Sequence, residues 1–457
     1  MSEYKLAKEA FVSGQTGGTV LRINAVCTTA LTTYALWIVL APQIGNRANT
    51  TSLRVPIAEF AILVVPLLLA LTILSAHPFK LNLALTFLII FFRHRADASS
   101  PPALSPVVRA RAFSPKPSDP PPTRPETRLF LKPFVTVYRA HMMIMTVICI
   151  LAVDFAVFPR EFAKAETWGT SVEHSSEYGI HWNFFFTLGL VPIFGTVFDR
   201  LSRGVDHSWM GFIITLVHQL LLDQTDLQYW ALTAERNTFL TQNREGIVSL
   251  PGYLAIYLLG TATGLYVLPP DPYFFDRLQA LRPNRKGPPV TPEKKKEREA
   301  RMQKAWKHKP GKLASVLGSY AILWWMLYGV MMLCGWSVSR RLANMAYVVW
   351  VAAFNASFLF GYLLVSMWSS ATLLSDSDSS TSPNAVPIPS TSAPAIFDAI
   401  NRNSLVVFLV ANLLTGLVNV SMQSMYASDL LALVVLLLYC GACVGAAWAL
   451  RKKRLRI

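Results

Sequence analysis

The chain has 457 residues, 53% of them hydrophobic and only 15% charged, with a net charge of +16. A soluble protein of this length needs more charge on its surface, so the composition excludes an ordinary water-soluble domain. Of the 42 Lys and Arg, 26 fall in 93–133, 271–312 and 451–457, where they flank apolar runs; that is the pattern of cytoplasmic membrane loops rather than of a nucleic-acid-binding face.

Apolar runs of spanning or near-spanning length occur at 20–41, 56–76, 79–92, 135–153, 182–198, 207–223, 248–268, 312–334, 342–368, 404–422 and 430–450. They lack the alternation of barrel strands. The expected fold is therefore all-α: a polytopic bundle of about eleven transmembrane helices, forming a single membrane domain over 1–457. The first 19 residues are polar and mixed and show no cleavable signal peptide. The third run follows the His77-Pro78 break and reads as a tilted span or a continuation of the second. Residues 93–133 hold ten prolines, including Pro120-Pro121-Pro122, and read as a disordered cytoplasmic loop. Residues 271–311 read as a basic cytoplasmic loop and 374–394 as a Ser/Pro-rich loop. Placing the tail Arg451-Lys452-Lys453-Arg454 in the cytoplasm, an odd span count puts the amino terminus on the far side. The two most basic loops then also fall in the cytoplasm, so the three strongest orientation signals agree.

The five cysteines, Cys27, Cys149, Cys334, Cys440 and Cys443, lie in apolar segments without ligand spacing. They read as packing residues, and no metal site is expected. Polar groups inside or at the edge of a bilayer are expensive and therefore informative. Asp154 ends the apolar run 146–153 and is followed by Arg160 and Lys164. Two readings fit it: a general base with Lys164 as charge stabiliser, or a boundary carboxylate facing interfacial water. His181-Trp182-Asn183 opens the next span and suits a headgroup or an interface. His141 and His218 lie inside spans and read as neutral, interhelical hydrogen-bonding groups. Arg244, in Asn243-Arg244-Glu245-Gly246, is placed to hold a phosphate. Asn412, Asn419 and Gln423 recur at roughly helical spacing, which suits interhelical hydrogen bonds. No phosphate loop, zinc motif, nucleophile elbow or dinucleotide fingerprint occurs.

Several of these residues carry a resemblance. Lys8-Glu9-Ala10-Phe11-Val12-Ser13 with Thr16-Gly17-Gly18, then Val153-Asp154-Phe155, Phe158-Pro159-Arg160, Phe162-Ala163-Lys164 and Glu166 to Ser171, resemble the fungal inositol acyltransferases of glycosylphosphatidylinositol (GPI) anchor synthesis. Glu177 to Phe185, Asn243 to Gly246, Arg341 to Asn344 and Asn401 to Gly416 are similar too. The resemblance implies an endoplasmic-reticulum membrane enzyme with a lumenal amino terminus and a cytoplasmic carboxyl terminus. It implies transfer of a palmitoyl group from acyl-coenzyme A, a co-substrate, to the inositol 2-hydroxyl of glucosaminyl-phosphatidylinositol, with no tightly bound cofactor. It implies Asp154 and Lys164 as the catalytic pair, with Arg160, His181, Trp182, Asn183 and Arg244 on the substrate. A lipid or acyl-coenzyme A flippase and a non-catalytic membrane scaffold are the alternatives. The chain departs from the family in two places. Glu161 stands where relatives usually carry a second arginine. After Ser171, relatives continue through a stretch of roughly 70 residues, enough for two more spans, whereas Val172 to Ser176 here leads straight to Glu177-Tyr178-Gly179. About thirteen spans in relatives thus become about eleven.

Overall fold

The computed structural model describes residues 11, 17–44, 53–99, 133–162, 181–182, 184–201, 205–267, 310–375 and 393–453. Most of the loops at 93–133, 271–311 and 374–394 lie outside these residues, as do Lys164 and Asn183. Among the described residues the structure is helical, without strands. The long helices are α1 Val20–Ile44, α2 Arg54–Leu63 continuing as α3 Val65–Leu71, α4 Pro78–Ser99 and α5 Pro133–Ala152. There follow α6 Phe184–Leu201, α7 His207–Gln224, the short α8 Leu227–Thr233 and α9 Phe239–Gln242, α10 Arg244–Val267 and α11 Pro310–Leu333. The chain then forms α12 Met345–Ser375, α13 Ala395–Arg402, α14 Ser404–Ser421 and α15 Asp429–Ala449.

Every one of the eleven expected spans is a helix. Eight are long and apolar enough to cross a bilayer, counting α2 and α3 as one. The other three are α4, α6 and α7. Lys80, Arg93 and Arg95 dilute α4, and His207, His218, Gln219 and Asp223 dilute α7. Large apolar side chains stand on the outside of the helices: Leu333 is 90% exposed and Val420 89%. Such surfaces are unfavourable in water and suit acyl chains.

The chain forms two compact units. One comprises Met1–Thr127, Lys132–Ala165 and Gly361–Ile457; the other comprises Arg128–Leu131 and Glu166–Phe360. In the first, α1 packs on α2, α3 and α4, and α13 packs on α5 and α15. Tyr34, Tyr138, Tyr362, His141 and Phe397 form an aromatic core, with the Tyr362 hydroxyl and His141 Nδ1 sharing a hydrogen bond of 2.8 Å. The intramembrane histidine expected to bond between helices does so. In the second unit α10 is central, packed on α6 and α7.

Contacts at helix ends test the alternation read from charge. Arg22, at the start of α1, donates to the Ser75 carbonyl beyond α3. Asn419, near the end of α14, bonds Asp154 beyond α5. At the opposite ends, Asn401 of α13 donates to Thr136 of α5, and Asn403, before α14, donates to Leu450 and Lys453 beyond α15. Each pair joins ends that the charge pattern puts on the same side. In the second unit the starts of α6 and α10 meet through His181 and Asn243, and the end of α7 meets the turn before α12. These too are ends that the alternation places together.

Candidate functional site

The first polar cluster forms where α5 ends. Backbone bonds from Asp154 N to Leu151 O and from Phe155 N to Ala152 O, 3.1 and 3.0 Å, tighten the last turn. Phe155 and Phe158 are buried and pin the loop, and Asp154, just before them, is half-buried. Its Oδ2 accepts from Asn419 Nδ2 at 2.7 Å, and Asn419 Oδ1 accepts from Ser424 Oγ at 3.3 Å. The carboxylate is thus oriented by an amide that is itself oriented by a hydroxyl.

Arg160 lies on the short 3-10 turn Arg160–Phe162. Its guanidinium donates to the carbonyls of Val153 and Phe155, the two residues flanking Asp154. It also stacks over the Phe11 ring, 4.1 Å from the centroid. Burial pulls the Arg160 pKa below its ordinary value, and the charge of Asp154 acts in the opposite direction. Glu161, the first departure named above, makes its contacts elsewhere. Its carboxylate pairs with Arg22, and its carbonyl accepts from Gly18 N at 2.8 Å, tying the chain before α1 to this loop.

The second cluster belongs to the other unit. His181 is exposed, its ring stacked parallel to Phe239 at 6.4 Å, and its backbone N–H donates to Asn243 Oδ1 at 2.9 Å. Trp182 donates from Nε1 to Thr187 Oγ1 at 2.9 Å and lies flat against α10 at Gly246. A Cβ at Gly246 would sit 2.4 Å from the indole, so only glycine admits Trp182 there. Arg244, the expected phosphate ligand, is almost fully buried. Its guanidinium donates to the carbonyls of Ala231, Leu232 and Ala234 at the end of α8, clamping that helix to α10.

Sequence reasoning did not single out Glu245, Arg236 or Arg341 as a group. Glu245 is fully buried, and its Oε1 accepts from Arg236 Nη2 at 2.6 Å and Arg341 Nη2 at 2.7 Å. Arg341 comes from the turn before α12, which is held by several bonds. His218 Nε2 donates to the Leu342 carbonyl at 3.0 Å, and Gln219 Oε1 accepts from Met345 N at 3.0 Å. Asn344 bonds Ser339 N and the Ser337 carbonyl. Ala343 in this turn has φ 45, the one non-glycine in the left-handed region among the described residues. Its carbonyl lies against Gly252, where an added Cβ would come within 2.0 Å. Helix α10 therefore needs glycine at this point to accept the turn.

Comparison with known proteins follows from the chain as a whole. The family model described as GWT1 matches residues 4–172 and 172–450. The GPI-anchored wall transfer protein 1 of Cryptococcus neoformans var. neoformans is 32% identical over 633 aligned residues, covering all of both chains. That of Aspergillus oryzae is 33% identical over 534 residues, covering all of this chain and 99% of its own. That of Saccharomyces cerevisiae is 32% identical over 530 residues, covering all of both. These alignments are longer than the 457 residues here, so the relatives carry sequence that this chain lacks. The two family-model matches meet at residue 172, directly after Thr170-Ser171, where the shortening is expected.

Proposed function

The chain belongs to the GWT1 family and so works in GPI-anchor biosynthesis, and we propose that it moves a palmitoyl-type acyl group from acyl-coenzyme A to the inositol 2-hydroxyl of glucosaminyl-phosphatidylinositol in the endoplasmic-reticulum membrane. The observation that carries this reading is the Asp154 carboxylate, fixed by Asn419 at the end of α5 and flanked by the anchored Arg160. Asp154 takes the proton from the inositol hydroxyl as its oxygen attacks the thioester carbonyl carbon. Lys164 balances the oxyanion. The carbon–sulfur bond then breaks, and the departing thiolate takes the proton from Asp154 to leave as coenzyme A thiol. Arg160 holds the loop in place, and the resemblance assigns His181, Trp182 and Asn183 to the acceptor lipid. Attack on the thioester is direct, without an acyl-enzyme. The amino terminus is lumenal and the carboxyl terminus cytoplasmic.

The two polar clusters described above, at Asp154 and at Glu245, sit at helix ends. A flippase binds its cargo near mid-membrane on broken helices. The test is acylation of glucosaminyl-phosphatidylinositol in microsomes from a yeast lacking its own enzyme. Asp154→Asn is expected to lower the rate by roughly 10²–10⁴ with expression unchanged. Retained activity removes Asp154 from the mechanism. Movement of lipid across reconstituted vesicles without acyl product favours the flippase reading.

A further inference from the structure

The chain before α1 lies against the loop that carries Asp154. Thr19 starts α1: its Oγ1 accepts from Arg22 N at 3.4 Å and its carbonyl from Ile23 N at 3.1 Å. Arg22 therefore stands in the first turn, at the positive end of the helix dipole, where a cation does not stabilise the helix. What it meets instead is the loop after α5. Its guanidinium pairs with the Glu161 carboxylate, donates from Nε to the Ser75 carbonyl at 3.2 Å and lies over the Phe162 ring, 5.5 Å from the centroid. Gly18, buried just ahead of α1, donates to the Glu161 carbonyl at 2.8 Å. Phe162 in turn meets the buried Phe158 edge to face at 6.2 Å. Further back along the chain, Phe11 stacks on the Arg160 guanidinium, the one that grips the carbonyls of Val153 and Phe155.

The two grips act on one loop. Arg160 ties its end back to its start, around Asp154, while Gly18 and Arg22 hold its far end at Glu161 and Phe162. Along the chain Lys164 follows two residues after Phe162, so the grip at Glu161 and Phe162 lies between the two catalytic groups in sequence. All the described groups belong to the first unit. A partly exposed ion pair and a ring stacked on a guanidinium add little to the stability of a whole bundle. They suffice to fix one loop, and misplacing a catalytic group by about 1 Å can cost roughly a hundredfold in rate. We propose that Phe11, Arg22 and Glu161 are positioning residues for acyl transfer: the chain before α1 is a strap that holds the Asp154 loop in the geometry of attack, through Arg22 on Glu161 and Phe11 on Arg160. This role rests on the acyl-transfer reading. The three side chains act through the loop and not on the substrate.

The experiment is steady-state acylation by the full chain in microsomes from a yeast lacking its own enzyme, with the unfolding midpoint of each variant read in detergent. Arg22→Gln and Glu161→Gln are each expected to lower kcat about two- to fivefold. Phe11→Leu keeps the bulk, loses the ring face and is expected to cost a similar factor. Arg22→Glu and Glu161→Arg each set like charges together, so the change in free energy roughly doubles and kcat falls about four- to twenty-five-fold. Arg22→Glu combined with Glu161→Arg rebuilds the pair with its polarity exchanged and is expected to return kcat to within about threefold of the wild type. Throughout, KM for both substrates and the unfolding midpoint stay nearly unchanged. Wild-type kcat in both reversals, a double exchange no faster than the slower single reversal, a rise in KM without loss of kcat, or a midpoint that falls in step with kcat overturns the proposal. If the reversal variants do not fold, the Gln and Leu variants decide it, and wild-type kcat in all three overturns it. Failure of the acyl-transfer reading has a different signature: no protein, the wild type included, forms acyl product, and the proposal falls with it.

Discussion

Asn419 offers the sharpest handle on the Asp154 site. Its amide donates to Oδ2 at 2.7 Å, and a hydrogen bond to a charged acceptor is worth roughly 1.5–3 kcal/mol. If the bond orients the base in the transition state, Asn419→Ala lowers kcat by about 10- to 150-fold. Ser424 acts one step further out, through a longer neutral bond of 3.3 Å, so Ser424→Ala is expected to cost only about two- to fivefold. Asn419→Asp goes the other way chemically. It sets a second carboxylate beside the first, and two such groups at hydrogen-bond distance cannot both stay ionised. One then holds a proton until higher pH, so the acid limb of the pH–rate profile moves in the alkaline direction. The assay is steady-state acylation in microsomes, normalised to protein level, across a pH series. Wild-type kcat in Asn419→Ala, or a loss in Ser424→Ala larger than in Asn419→Ala, refutes the chain of orientation from Ser424 through Asn419 to Asp154.

Three further outcomes are expected. Glu59 is buried in α2 and accepts from Trp37 Nε1, Ala395 N and Ile396 N, capping α13 from another helix. Glu59→Ala leaves these buried donors bare and should destabilise the first unit by on the order of 4 kcal/mol, with Glu59→Gln intermediate, read as thermal unfolding in detergent; equal midpoints for Ala and wild type refute the capping role. Ala343→Gly relieves the left-handed backbone at φ 45 and should raise stability by about 0.5–1 kcal/mol, whereas Gly252→Ala drives a Cβ into the Ala343 carbonyl and should cost roughly 1–3 kcal/mol or more; a lowered midpoint for Ala343→Gly contradicts the strain. Arg160→Lys keeps the charge but loses the fork that spans Val153 and Phe155. It should lower kcat while leaving KM for the lipid nearly unchanged, and a rise in KM alone would instead put Arg160 on the substrate.

The helices were legible because apolar runs have a length set by the bilayer, and charge fixed their alternation. Both signals are local, so all eleven expected spans appear as helices. Of the three that fall short of a full apolar span, α6 is short, while α4 and α7 carry polar side chains, such as Gln219 and His218, which the sequence alone cannot assign to the turn at Leu342 and Met345. Asp154 was visible because a carboxylate ending an apolar run is expensive. Asn419 was visible as a hydrogen-bonding residue, yet its partner lies 265 positions away. Its supposed companions differ: Asn412 bonds its own helix at Phe408, and Gln423 lies past the end of α14. The Glu245 group was illegible for the same reason, since Arg236 and Arg341 reach it from two separate turns.

Both clusters set an arginine beside an acid, and in both the arginine bonds backbone carbonyls. Arg160 binds Val153 and Phe155 around Asp154; Arg244 binds Ala231, Leu232 and Ala234 beside Glu245. A carbonyl is a neutral partner, so the guanidinium is held near the acid while its hydrogen bonds go to backbone. That arrangement leaves the carboxylate oxygens to other groups, Asn419 at Asp154 and Arg236 and Arg341 at Glu245. It also anchors the loop on which the acid sits, because five planar donors fix a turn better than a single ammonium. An arginine next to an acid in a membrane-edge motif therefore does not by itself mark a phosphate ligand. In this protein the arginines nearest Asp154 and Glu245 in sequence bond backbone, and the guanidiniums that reach the Glu245 carboxylate at hydrogen-bond distance come from other turns.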